Sequence, residues 1–250
     1  MSPNFAVALS TSLVIDSDPV GVSLNTVTGR SVPELRERCA AYRLAGGAAE
    51  YGAAVLTGSD VLNLLDPVDV ERLHTVRANL RDAVVDDDYS LSVRAYRPLD
   101  GKRGPLLQQQ VDDALVPGVT AIRGDLQTDF IAGPNKGDGV TGLVTRLRAT
   151  LAFAVGDSET DIPMLEIAEH AYAPAHARET LGAHARVTRR SYQAGLLEAV
   201  ARFLGHDPRR CATCAPPSPP PDAHGLFAAL RAKDGGALAK IAQLARLARS

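Results

Sequence analysis

The chain has no tryptophan, only three cysteines and very little lysine. Of its 250 residues, 27 are Lys or Arg, and just four of these, at positions 102, 136, 233 and 240, are lysine. Aromatic residues make up 4%, and 29 Asp and Glu leave a formal net charge of −2. A near-neutral chain with few rings lacks both the basic field and the stacking platforms of a nucleic-acid binder. No apolar run approaches the roughly 20 residues that a membrane helix needs. No Lys or Arg precedes Arg30, so the charged start of a secretory signal is not expected. Cys39, Cys211 and Cys214 make no disulfide framework, and the expected setting is reducing and cytoplasmic.

What is present suits a globular fold. Hydrophobic residues are 45% of the chain and charged residues 22%, enough for one large domain or a core with a smaller companion. Residues 5–15 are mostly apolar and read as helix or strand. After the turn at Asp16-Ser-Asp-Pro, an apolar run at 20–24 leads into Asn25-Thr-Val-Thr-Gly-Arg-Ser. Residues 33–43 form an amphipathic helix with proline in its first turn. Glu50-Tyr-Gly-Ala then reads as a turn entering a short strand. This alternation is the βαβ rhythm of a parallel sheet.

Near residue 60 the pattern changes. Asp66-Pro67 opens a helix with Val70, Leu73, Val76, Leu80 and Val84 at helical spacing. A strand at 90–96, a helix at 106–116 and two strands around Gly124-Asp125 complete a small α+β unit. From Lys136 the earlier rhythm returns: a helix with Val140, Leu143, Val144 and Leu147, a strand at 151–155, short strands at Ala171 and Ala185, and a helix at 192–204. The expected organisation is therefore a doubly wound α/β core at 1–59 and 133–206 with an α+β insertion at 60–132. A proline-rich linker at 207–222 and a helical tail at 223–250 follow.

The strongest chemical signal is Gly156-Asp-Ser-Glu-Thr-Asp161, directly after five apolar strand residues. Ligands of parallel sheets bind at the carboxyl ends of the strands. Asp157 and Asp161 there suit a hard cation such as Mg²⁺, although a turn residue and an ordinary helix cap would read the same way. Thr28, Gly29 and Arg30 follow another strand and place hydroxyl, amide and guanidinium groups at the same edge, as a phosphate site requires. Lys136 precedes a helix, where a cation reaches a bound phosphate. In a chain that otherwise uses arginine, a lysine here is notable.

The order Thr-Gly-Arg-Ser, Lys-Gly, Gly-Asp-Ser-Glu-Thr-Asp resembles the haloacid dehalogenase-like phosphatases with a C2-type cap, a group that includes sucrose-phosphate phosphatase-like and Cof-like enzymes. The resemblance covers about residues 15–205. It implies that Thr28 contacts the transferring phosphoryl group, Lys136 neutralises its charge, and Asp157 and Asp161 hold Mg²⁺. Glu50-Tyr-Gly-Ala resembles the family's Glu-Asn-Gly-Ala, with Tyr51 in the asparagine's place. The implied activity is Mg²⁺-dependent hydrolysis of a small phosphorylated metabolite such as a sugar phosphate. The alternative is a non-catalytic module that binds a phosphorylated ligand or a protein.

One departure is large. The family opens with a strand bearing Asp-x-Asp-Gly-Thr, the nucleophile and the general acid/base. Asp16-Ser-Asp18 mimics it, but only nine residues separate Asp18 from Thr28, too few for a crossover helix of about 10–12 residues. Residues 5–15 are therefore expected to be the first helix, and the nucleophile strand to be lost or to lie upstream of Met1. A sheet missing that strand would leave two open edges, inviting aggregation or a partner, and the 226–247 segment offers a second docking element. Gly156-Asp-Ser also resembles a serine-esterase block, but no Asp-x-x-His accompanies it. Cys211-Ala-Thr-Cys214 lacks a second ligand pair for zinc, and His170 and His176 read as packing or surface residues.

Overall fold

The structure, a computed structural model, describes residues 12–18, 21–99 and 102–206. The linker with Cys211 and Cys214 and the 223–250 tail lie outside the described residues. In chain order the strands are β1 (Ser12–Asp18), β2 (Gly21–Val27), β3 (Gly46–Ala49), β4 (Ala54–Thr57), β5 (Asp60–Asn63), β6 (Val84–Val85), β7 (Val93–Leu99), β8 (Lys102–Gly104), β9 (Val119–Arg123), β10 (Thr128–Ala132), β11 (Thr150–Val155), β12 (His170–Ala173) and β13 (Arg186–Val187). The helices are α1 (Val32–Tyr42), α2 (Pro67–Asn79), α3 (Gln108–Ala114), α4 (Lys136–Leu147), α5 (Ile162–Glu166), α6 (Arg178–Leu181) and α7 (Tyr192–Phe203).

The first sheet has the order β13-β12-β11-β1-β2-β3-β4-β5. Pairing is parallel for β2 with β3, β11 with β12 and β12 with β13. Residues 151–155 are all buried, the continuous apolar run of a strand covered on both faces. On one face Ala154 packs with Val27, Val140 of α4, Met164 of α5 and Leu181 of α6. On the other, Phe153 and Val155 meet Ala199 and Val200 of α7, and Leu35 of α1 packs on Ala49, Ala54 and Leu56. Helices on both faces make this a Rossmann-like, doubly wound core.

The N-terminal expectation is corrected. Residues 12–15 belong to a strand instead of the first helix, and the centre of the sheet has no missing place. Strand β1 lies between β11 and β2, antiparallel to both, in a hairpin that pairs Ser12 with Val27 and Asp18 with Gly21. The two edges expected to be open are thus hydrogen-bonded to β1. A hairpin needs no crossover helix, so a short segment suffices. The direction of β1 decides where its residues lie. Asp16 and Asp18 stand opposite the starts of the parallel strands, while Ser12 is level with their carboxyl ends.

The second sheet, β6-β7-β10-β9 with β8 on β7, is antiparallel throughout. Leu73 and Val76 of α2 and Val111 and Ala114 of α3 cover one face, packing on Val93, Ala95 and Phe130. Alternation sends Arg94, Tyr96 and Asp129 to the other face. Strand β5 hydrogen-bonds to β4 in the first sheet, so the inserted α+β unit begins after Asn63 and not at 60, the position where composition changes.

Between β3 and β4 the chain makes a turn in which Glu50, Tyr51 and Gly52 all have positive φ, at 49°, 61° and 106°. At Gly52 an added Cβ would overlap the Asn135 carbonyl, just ahead of α4. Glycine there lets the turn and the helix start touch. Gly52→Ala is expected to cost about 3 kcal/mol in chemical denaturation, from strain and overlap together. A change below about 0.5 kcal/mol, the level of an ordinary surface substitution, would contradict this reading.

Candidate active site

Loops following β2, β3, β11 and β12 meet at the carboxyl edge of the first sheet. Each has a local device that shapes it. After β2, Ser31 caps α1: its Oγ accepts from Glu34 N at 3.4 Å, and Glu34 Oε2 accepts from Ser31 N at 3.3 Å. This brings Thr28 to the edge, where its Oγ1 accepts from Arg30 N at 3.1 Å. Ahead of α4, Asn135 Oδ1 accepts from Gly137 N and Asp138 N at 2.8 and 3.2 Å. The cap makes Lys136 the first helical residue.

Lys136 and Asp161 are both buried, and Nζ donates to Oδ1 at 2.6 Å. The other oxygen, Oδ2, accepts from Asp157 N at 2.8 Å, Ser158 N at 3.0 Å and Ser158 Oγ at 3.0 Å. A carboxylate has about four lone-pair sites, and Lys136, Asp157 and Ser158 all donate to this one. The Asp161 carboxylate, expected to be a metal ligand, here folds the Gly156 loop and receives Lys136. The half-exposed Asp157 carboxylate faces His176, with Nε2 at 3.7 Å from Oδ2. Burial, then the charge of Asp161, push the Asp157 pKa above the usual range, against the pull of His176 and Lys136. His176 Nδ1 accepts from Tyr192 N at 3.1 Å, which leaves the neutral ring's proton on Nε2, toward Asp157.

Thr28, Gly29, Arg30, Lys136 and Asp157 all line one cavity of about 820 Å³. Its far wall comes from the inserted unit, including Asp86, Tyr89, Arg94, Tyr96 and Arg103. Polar contacts join the two walls. Tyr51 Oη donates to Asp129 Oδ2 at 2.6 Å. Arg94 donates to Asp129 through Nε at 2.6 Å and Nη2 at 2.8 Å, and its Nη2 also reaches Gly29 O at 3.2 Å. Tyr89 Oη donates to Glu34 Oε2 at 3.2 Å, while Glu34 pairs with Arg30 at 2.9 Å. Burial opposes the Arg94 charge, but Asp129 more than offsets it and the pKa rises. Burial, then the Asp129 charge, raise that of Tyr51, so its phenol stays a donor. The fully buried Glu50 carboxylate accepts from Leu91 N at 2.8 Å and Ser92 Oγ at 2.9 Å, and burial raises its pKa.

Comparison with known proteins agrees with this geometry. The family model described as haloacid dehalogenase-like hydrolase matches residues 130–204, from β10 to α7. Three solved structures superpose on 72% of the chain: a Thermoplasma acidophilum protein (14% identity, 82% of that chain, TM-score 0.57), a phosphatase of the haloalkanoate superfamily from Bacteroides thetaiotaomicron (21%, 81%, 0.52), and the sucrose-phosphatase of Synechocystis sp. PCC6803, solved with sucrose and phosphate (17%, 83%, 0.51). The chain has the haloacid dehalogenase-like fold. Comparison with curated proteins finds no match.

Within that fold, Thr28, Lys136 and Asp157 line one cavity; Arg94 and Asp129 carried no expectation, and His176, read as a packing or surface residue, faces Asp157. Arg94 and Asp129 sit in an insertion with no motif, and His176 is a lone histidine in the single 3-10 turn Ala175–Ala177. Tyr51, in the place of the family's asparagine, was the available signal. The buried pair yields a stability prediction. Lys136→Met strands the Asp161 charge and is expected to cost about 3–5 kcal/mol in denaturant unfolding. Lys102→Met, on the exposed β8, should stay within about 0.5 kcal/mol. Equal losses would mean that the pair is not buried in solution.

Proposed function

We propose that this chain is a phosphomonoesterase-type protein that binds a small phosphorylated metabolite, such as a sugar phosphate, with Mg²⁺. The observation that supports this most is the convergence of Thr28, Lys136 and Asp157 on one cavity at the carboxyl edge of the first sheet. Thr28 Oγ1 accepts from Arg30 N, so its own proton is available to a phosphoryl oxygen. The Lys136 ammonium, held by Asp161, has further protons for the same anion. Both groups are in place before the ligand arrives, the condition under which electrostatic stabilisation is most effective.

The donor set suits a cation held by Asp157, phosphoryl oxygens and water. Among the described residues no group of three His, Cys, Asp or Glu side chains could hold a metal ion by itself. Mg²⁺ usually keeps several waters and binds through one or two carboxylates and substrate phosphate. When bound, it would neutralise charge on the phosphoryl group. Nucleophilic attack is where the described residues fall short. Asp16 and Asp18 stand at the opposite edge of the sheet from Thr28, and Asp157 faces His176. We therefore expect binding without efficient turnover, since losing a covalent catalyst costs several orders of magnitude even when binding survives.

Calorimetric titration of the 250-residue chain with inorganic phosphate, with and without Mg²⁺, tests the proposal, together with a panel of sugar phosphates. Phosphate should bind more tightly with Mg²⁺, Asp157→Asn should abolish the Mg²⁺ effect, and turnover should be weak and unchanged in Asp16→Asn. Robust hydrolysis that disappears in Asp16→Asn would overturn the reading of β1. Absence of phosphate binding would overturn the function.

A further inference from the structure

The contacts between the insertion and the 28–30 loop are more than packing. Tyr51 N donates to Thr28 O at 3.1 Å, and Arg94 Nη2 donates to Gly29 O at 3.2 Å. Two successive carbonyls of the loop are therefore held, one by the Tyr51 backbone and one by a guanidinium from the second sheet. In a trans peptide the C=O and the following N–H point in opposite directions. Holding the Thr28 carbonyl fixes the direction of Gly29 N–H, and holding the Gly29 carbonyl fixes that of Arg30 N–H. The latter donates to Thr28 Oγ1 and so sets where that hydroxyl's own proton can point.

The groups that do the holding are themselves held. Arg94 and Asp129 are direct cross-strand neighbours on β7 and β10, and Asp129 is 1% exposed. Its carboxylate takes two hydrogen bonds from Arg94 and one from Tyr51 Oη. The Tyr51 ring lies directly on Gly29, where a Cβ would come within 2.5 Å of Cζ. The ring thus occupies the space a side chain at 29 would need, and its hydroxyl closes the circuit to Asp129.

We infer that Tyr51, Asp129 and Arg94 are positioning residues through which the inserted unit sets the orientation of the 28–30 loop. This deepens the reading above and rests on it where phosphate is concerned. On this account the anion site belongs to the first sheet by sequence but to both sheets by mechanics. Any substrate selected by the far wall is presented to a loop whose geometry that same wall maintains.

Amide hydrogen exchange at Gly29 and Arg30 and calorimetric affinity for inorganic phosphate, both on the full chain, test the inference with Tyr51→Phe, Asp129→Asn and Thr128→Val. Thr128 is adjacent to Asp129, but its hydroxyl accepts from Leu106 N at 3.1 Å. It therefore reports general loosening of the insertion. Tyr51→Phe removes only the hydroxyl and guards against simple unfolding. Exchange at 29 and 30 should accelerate, and phosphate should weaken, each by about tenfold in the first two variants, the value of one hydrogen bond to a charged group. Thr128→Val should lower the melting temperature and leave both readouts unchanged. Unchanged exchange in Tyr51→Phe and Asp129→Asn, or equal acceleration in Thr128→Val, would overturn the inference, as would a looser loop with phosphate affinity kept. If the wild type binds no phosphate while the loop still loosens, the positioning stands and the phosphate reading alone fails.

Discussion

The contact of Lys136 Nζ with Asp161 Oδ1, 2.6 Å long and buried, connects the start of α4 to the loop after β11. Everything at the carboxyl edge is arranged around it. A buried lysine needs a carboxylate, and a buried carboxylate needs its remaining lone pairs filled. The amides of Asp157 and Ser158 fill them, and in doing so they close the Gly156 loop and present Asp157 to the cavity. The turn at Gly52 lies against Asn135, the cap that makes Lys136 the first helical residue. Chain segments distant in sequence are thus held to one another through hydrogen bonds to a single side chain.

The same economy governs the cations. Lys136, Arg94 and Arg30 each face the cavity with a carboxylate partner: Asp161, Asp129 and Glu34. Arg103 lies over the Tyr96 ring, 4.3 Å from its centroid. Paired cations keep their positions before a ligand arrives, and the field they offer an anion is moderated by their partners. A site of this kind favours orientation over raw attraction, since each guanidinium is already committed in direction.

The reach of sequence reasoning follows from the range of the forces involved. Local signals are legible: the helical spacing of Val140 and Leu143, the helix start at Asp66-Pro67, and the apolar run at 151–155 all depend on neighbours within a few residues. Lys136 stood out because lysine is rare in this chain, and its burial gives that rarity a physical meaning. Its partner was harder to see. In sequence Asp161 reads as a metal ligand or a cap, and its 2.6 Å contact with Lys136 lies across 25 residues. Residues 12–15 form a strand and not the expected helix because crossover length limits only parallel pairing. A hairpin satisfies the same central position with a short turn. Arg94 and Asp129 meet by cross-strand register, which no local pattern announces.

On the function proposed above, one anion site forms at the carboxyl edge between Thr28 and Lys136, with Asp157 beside it. A crystal structure of the chain grown with tungstate, a heavy analogue of phosphate, and Mg²⁺ tests it most directly. Tungstate should lie within hydrogen-bond distance of Thr28 Oγ1 and Lys136 Nζ, with the cation on the Asp157 carboxylate. Tungstate bound elsewhere, or a cation bridging Asp161 after Lys136 has moved away, would contradict it.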